Sequence, residues 1–198
     1  MFKVGLTGGI GSGKTVVCKV FEALHVPVYN ADLAAKNLLH TSKGLTEKVI
    51  AHFGPAICQN NGDIDRSRLG EIVFNDASSL AALNAILHPA VNEDFSLWLG
   101  DKAGHDYIIK EAAILFESGS YKDMDCIISV YAGLDVRKQR VVERDGLTPD
   151  QFMLRESNQM EEEAKCKKAD YVIDNQGAQA ILPQVLKIHE GFISEPNT

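Results

Sequence analysis

No two of the four cysteines, Cys18, Cys58, Cys126 and Cys166, stand close enough to form a C-x-x-C pair. That spacing excludes a zinc site built from local pairs and does not resemble the dense framework of a small disulfide-stapled secreted domain. The four are expected to be free thiols, most of them buried, in a reducing compartment. Basic charge is also short, since 20 Lys and Arg against 27 Asp and Glu give a net charge of −7. A general nucleic-acid binder carries the opposite excess, so no nucleic-acid partner is expected. A local basic pocket for a phosphorylated small molecule stays compatible with that total. No run approaches the roughly 20 apolar residues that a membrane-spanning helix needs. The opening Met1-Phe2-Lys3-Val4-Gly5-Leu6 is too short for a signal peptide. The expectation is a cytoplasmic protein with no membrane partner. Internal repeats and low-complexity linkers are missing too, and 198 residues, 45% hydrophobic and 24% charged, fit one globular unit.

What is present begins at once. Gly8-Gly9-Ile10-Gly11-Ser12-Gly13-Lys14-Thr15 fits the pattern G-x-x-x-x-G-K-S/T in full. Glycines let the backbone wrap round phosphates so that successive N–H groups, Val16 included, point inward at the oxygens. The following helix aims its positive end at the same place. Lys14 offers an ammonium to the β and γ phosphates, and the Thr15 hydroxyl suits Mg²⁺. The loop stands between an apolar run, Phe2 to Leu6, and a helical pattern at Val16, Val17, Val20, Phe21 and Leu24. A nucleoside triphosphate with magnesium is therefore the expected ligand.

A second strand, Val26 to Tyr29, ends at Asn30-Ala31-Asp32, which makes strand, loop, helix, strand: the beginning of a parallel α/β sheet. Helical stretches then follow at Leu33–Leu39, Leu45–Phe53, Ser67–Phe74 and Ser79–Trp98, the last expected to kink or divide at Pro89. Strand-like runs return at Tyr107–Ile109, Cys126–Tyr131 and Tyr171–Ile173. Between the last two lies the charged stretch Val136–Lys168, which reads either as a solvated pair of helices or as a lid whose Arg140, Arg144 and Arg155 fold over a nucleotide.

The loop alone does not name a reaction. A guanine-reading Asn-Lys-x-Asp is absent, and Asp101-Lys102-Ala103-Gly104 follows a helix rather than a strand. The apolar run Tyr107-Ile108-Ile109 ends in Lys110-Glu111, a partial match to the acidic strand end of a motor ATPase. Asp32 follows the second strand, where it serves equally as an orienting carboxylate for an acceptor hydroxyl or as the cap of the next helix. His88 reads as a contact for acceptor phosphates or as a packing residue of the helix at Pro89.

Taken in order, a longer set of motifs resembles the dephospho-coenzyme A kinase family over nearly the whole chain. It comprises Leu6 to Lys14, Asn30-Ala31-Asp32, Phe53-Gly54, Asp65-Arg66 with Leu69, Val73-Phe74, Leu83 to Pro89 and Leu115 to Gly119. Gln139-Arg140, Arg144 to Thr148, Arg155 to Gln159 and Ala169 to Asn175 complete it. The resemblance implies a P-loop NTPase fold of the α/β class, with a five-stranded parallel sheet, a helical acceptor-binding insertion and a lid. On that expectation the core is 1–32, 104–135 and 169–198, the insertion 33–103 and the lid 136–168. It implies γ-phosphoryl transfer from ATP to the ribose 3′-hydroxyl of dephospho-coenzyme A. Asp32 would orient that hydroxyl, Lys14, Arg140 and Arg144 would steady the phosphates, and Asn175 would meet the adenine. Lys36 and His88 would serve the acceptor, and Gly8, Gly9, Gly11, Ser12, Gly13, Thr15 and Val16 the nucleotide. A monomer or weak homo-oligomer is expected. Three departures stand out: Asn30 where the family has an aspartate, Lys36 where arginine is common, and Lys110 to Ile114 in place of a Pro-Leu segment. A kinase for another nucleotide or nucleoside, or a nucleotide-dependent switch, are the alternative readings.

Overall fold

The computed structural model describes residues 1–194; the last four positions of the expected 169–198 core segment lie outside them. Five apolar runs form the strands β1 (Phe2–Thr7), β2 (Val28–Asn30), β3 (Tyr107–Glu111), β4 (Cys126–Tyr131) and β5 (Tyr171–Asp174). The helices are α1 (Lys14–Ala23), α2 (Ala31–Thr41), α3 (Lys43–Phe53), α4 (Arg66–Asn75), α5 (Ala77–Gly100), α6 (Leu134–Asp145), α7 (Pro149–Glu156), α8 (Glu162–Lys168) and α9 (Ile181–Ser194). The chain divides into two compact units, Met1–Asn30 with Gly100 onward, and Ala31–Leu99.

The first unit is built on one parallel sheet of order β2-β3-β1-β4-β5. Its central strands are buried along most of their length because both faces of a parallel sheet are covered. Val4, Leu6, Ile109, Ile128 and Val130 are fully buried. Val17 and Phe21 of α1, one helical turn apart, and Val185, Ile188 and Phe192 of α9 join them in one cluster. Each such side chain contributes about 1.5–3 kcal/mol on burial. β1 lies in the middle, so the loop that follows it is flanked by the ends of β3 and β4. The register pairs Leu6 with Glu111 and Thr7 with Ser129, and Asn30 of β2 also pairs with Glu111.

The second unit contains α2 to α5 around Leu39, Leu45, Val49, Ile57, Leu69, Val73, Leu83 and Leu87. Two of its helices start on side-chain caps: Asp65 accepts from the Ser67 and Arg68 N–H groups at the head of α4. Asp76 accepts from the Ser79 N–H at 2.8 Å at the head of α5. The expected division at Pro89 does not occur, since α5 runs through it from Ala77 to Gly100. Proline removes one donor, the bond to the carbonyl of Ala85, and Ala85 is itself exposed, so that carbonyl can turn to water. Leu83, Leu87, Val91 and Phe95 bury one stripe that runs on across the proline.

The charged stretch before β5 also differs from the solvated helix pair. It forms three helices, α6 to α8, and Arg137, Glu162 and Lys165 are buried in it. Helical periodicity cannot distinguish a solvated charge from one paired inside the fold.

Candidate active site

The site is built where β1 gives way to the loop. Gly8, Gly11 and Gly13 all have positive φ (150°, 81° and 100°), conformations that side chains rarely adopt. The crowding at these positions comes from the protein itself. A Cβ on Gly8 would strike the Val130 carbonyl, one on Gly11 the Arg137 carbonyl, and one on Gly13 the Asn175 amide. Gly13 leads into α1 with no side-chain cap. No side chain takes the first-turn N–H groups, unlike at α4 and α7, and the helix dipole favours an anion there. Of the expected loop ligands, Val16 already donates its N–H to Gly13 O at 3.0 Å, and Ser12 donates to Gly9 O at 3.1 Å.

Lys14 folds back over its own loop. Its Nζ donates to Gly8 O at 2.9 Å and lies 3.9 Å from Glu111 Oε1. Glu111, the last residue of β3, is only 3% exposed and also accepts a hydrogen bond from Asn30 Nδ2. This gives the Asn30 departure a physical reason. An aspartate at 30 would set a second negative charge against Glu111, whereas the amide donates to it. The partial strand-end match at Lys110-Glu111 thus places a carboxylate beside the loop lysine. Thr15 is exposed at the head of α1.

On the other side, Asn175 follows β5 and donates from Nδ2 to Ser12 O at 2.7 Å, while its own carbonyl accepts from Arg140 Nη2 at 2.8 Å. Arg140, Asn175 and the loop form one chain of hydrogen bonds. Among the described residues, Ser12 Oγ and Arg140 Nη1 are buried side-chain atoms with no hydrogen-bond partner. A buried polar group without a partner costs about 1–3 kcal/mol, and these two sit on the loop and on the chain that leads to it.

The loop also meets α6 to α8. Glu162 accepts the Gly9 N–H at 2.8 Å, and Gln159 Oε1 accepts the Ile10 N–H at 3.0 Å. Arg137 makes a two-pronged contact with Glu156 at 2.6 and 2.7 Å and lies 4.0 Å from Glu162. Burial pushes the Glu162 carboxyl upward against the pull of Arg137 and Lys165. For Arg137 burial opposes the charge, but Glu156 and Glu162 more than offset it. Lys165, fully buried, donates to Ala113 O at 3.0 Å and lies 3.3 Å from Glu117, and burial lowers its ammonium. None of these contacts follows from spacing alone, although Gln159 stood inside a motif quoted above.

Arg144 is not joined to this chain of bonds. It sits in the last turn of α6 and pairs with Asp145, both contacts at 2.7 Å, with its side chain 64% exposed. The remaining expected residues belong to the helical unit. Asp32 lies in the first turn of α2, Lys36 is exposed on the same helix with its carbonyl taken by Arg66, and His88 is half-buried on α5.

Comparison with known proteins follows the same outline. The family model described as dephospho-CoA kinase matches residues 2–180. A dephospho-CoA kinase of Bacteroides fragilis is 38% identical over 94% of this chain and 90% of its own. A solved protein from Thermus thermophilus superposes with a TM-score of 0.83 at 30% identity, covering 96% of each chain. A solved dephospho-CoA kinase from Campylobacter jejuni gives 0.66 at 28% identity, covering 97% of this chain and 98% of its own.

Proposed function

This chain belongs to the dephospho-CoA kinase family, and from that premise we propose how its residues divide the work. The reaction is transfer of the γ-phosphoryl group of ATP to the ribose 3′-hydroxyl of dephospho-CoA, giving CoA and ADP. Phosphoryl transfer needs little covalent chemistry from the protein, so catalysis consists of positioning and charge stabilisation. The observation that carries the assignment is Lys14, held between Gly8 O and the buried Glu111 at the uncapped head of α1. The γ-phosphate takes over that ammonium, and those loop amides that are not already bonded within the protein bind the remaining oxygens. Arg140, with one nitrogen on Asn175 and the other unpaired, supplies a second cation on the nucleotide side, and Asn175 borders the adenine. Arg144 joins the phosphates only by leaving Asp145.

A magnesium ion fits this donor set. Mg²⁺ keeps most of its waters and takes one or two protein oxygens plus phosphate, which agrees with an exposed Thr15 hydroxyl and a Glu111 carboxylate. Bound there, the ion would neutralise charge on the β and γ oxygens. Asp32 orients the acceptor hydroxyl or takes its proton, and Lys36 and His88 serve the acceptor's phosphates. The segment 33–103 is the acceptor-binding insertion and 136–168 the lid. The enzyme works in the cytoplasm as a monomer or weak homo-oligomer, with neither nucleic acid nor membrane as partner. No described helix is long and apolar enough to cross a membrane.

The deciding experiment measures ADP release with dephospho-CoA, nucleosides and nucleoside monophosphates as acceptors. Dephospho-CoA is expected to give the highest kcat/KM. A higher value for a nucleoside monophosphate would overturn the acceptor assignment.

A further inference from the structure

Two amides of the loop, those of Gly9 and Ile10, precede the segment that turns into α1 and are both taken by side chains from the far end of the chain. Glu162 is 3% exposed and accepts the Gly9 N–H at 2.8 Å through one oxygen and 3.2 Å through the other. Gln159 accepts the Ile10 N–H at 3.0 Å. Arg137 ties the arrangement together. Its Nε donates to Ala132 O at 2.9 Å, its two Nη atoms hold Glu156, and Nη1 reaches Ile10 O at 3.4 Å. A Cβ on Gly9 would strike the Glu162 carboxylate and the Arg137 guanidinium. The glycine at this position therefore admits a carboxylate to the backbone, in addition to any closeness it allows to a phosphate.

We propose that Glu162 and Gln159 are positioning residues for the triphosphate: by occupying the amides of Gly9 and Ile10, they hold the loop in its binding shape before a nucleotide arrives. A loop so held loses less conformational freedom on binding, and the gain appears as nucleotide affinity. Neither side chain is assigned a contact with the nucleotide; both act through the backbone. Arg137 and Glu156 anchor the pair to α6 and α7. The inference rests on the loop being the ATP site and is independent of which acceptor is used.

The test is a titration of the full chain with Mg·ADP in the absence of any acceptor, together with separate KM values for ATP and dephospho-CoA and a melting curve. Glu162→Ala removes a charged acceptor from a buried N–H, which is expected to weaken Mg·ADP binding and raise the KM for ATP about tenfold. The KM for dephospho-CoA should stay unchanged. Glu162→Gln keeps an oxygen facing Gly9 and should return nucleotide affinity to within about threefold of the native value. Gln159→Ala, at a half-buried position that folding tolerates better, should weaken Mg·ADP binding by about three- to tenfold and decides the matter alone if Glu162→Ala does not fold. Unchanged Mg·ADP affinity in the alanine variants, with only the melting temperature lowered, overturns the proposal. So does a Glu162→Gln protein as weak as Glu162→Ala. An enzyme that binds Mg·ADP as expected but does not turn over dephospho-CoA would defeat the acceptor assignment and leave this inference standing.

Discussion

At Lys14 partners of two kinds hold one ammonium: the Gly8 and Gly9 carbonyls at 2.9 and 3.5 Å and the Glu111 carboxylate at 3.9 Å. A phosphate that takes the ammonium replaces a neutral carbonyl with a charged acceptor, a stronger hydrogen bond in the same place. Lys14→Ala should therefore weaken nucleotide binding and turnover together, by about ten- to a hundredfold for loss of one charge-assisted bond. Asp32→Asn should separate the two quantities, leaving nucleotide affinity near native while turnover falls about 10²–10⁴-fold, as loss of a general base does. Equilibrium titration beside steady-state kinetics reads both. Near-native turnover in Asp32→Asn would leave Asp32 only its place as a negative charge in the first turn of α2, and unchanged affinity in Lys14→Ala would remove the lysine from the site. At this scale the loop was legible in the sequence because its chemistry is local: eight consecutive residues do one job. The Glu111–Asn30 contact was not, because it joins positions 81 residues apart through strand register. The same limit hid Glu162 and Gln159, about 150 residues from the amides they hold.

At the scale of elements, α5 depends on its first turn as much as on its buried stripe. Asp76 accepts from the Ser79 N–H and from the Ser78 hydroxyl, and these bonds, the Ser79 side chain's foremost, bring its carboxyl down from 3.8 to about 2. A carboxylate with a depressed folded-state pKa adds stability above its unfolded value and loses it as the pH falls through the folded one. Asp76→Ala should therefore lower the urea midpoint at pH 7, and the gap from native should close as the pH approaches about 2. A gap that stays constant from pH 7 down to that value would mean that the carboxylate does not cap the helix. The strands could be read from the chain, since apolar runs are short-range signals. Pro89 did not divide its helix because the cost of a proline depends on where the freed carbonyl points, and the charged stretch was hard to read because burial of a charge depends on partners in other elements.

For the molecule as a whole, Cys18 and Cys126 report on the sheet unit from inside. Both belong to its buried cluster. Burial, with Glu111 next, drives the Cys18 thiol well above its ordinary range, and burial, with Asp170 next, pushes Cys126 up to about 12. Only the thiolate reacts, so at pH 8 their alkylation should wait for unfolding, while the half-buried Cys58 and Cys166 are modified sooner. Mg·ADP should slow the reaction at Cys18 further, because a ligand that binds only the folded state raises the free energy of opening by RT ln(1 + [L]/Kd). A mass-spectrometric time course resolves the four sites. Cys18 labelling as fast in buffer as in urea, or indifferent to nucleotide, would contradict this account of the core.

The strand order carries one more consequence. β3 is hydrogen-bonded to both β1 and β2, yet it is encoded only after the whole helical segment that follows β2. On a ribosome, β1 and β2 emerge early with the strand that joins them still unmade. At about 5–20 residues per second that wait lasts several seconds. During it, α2 to α5 have their complete apolar cluster available, whereas the phosphate loop has neither Glu111 beside its lysine nor Glu162 on its backbone. The nascent chain thus carries an intact phosphate-loop motif long before the contacts that hold it exist, and the last of them comes from the final quarter of the protein to be synthesised.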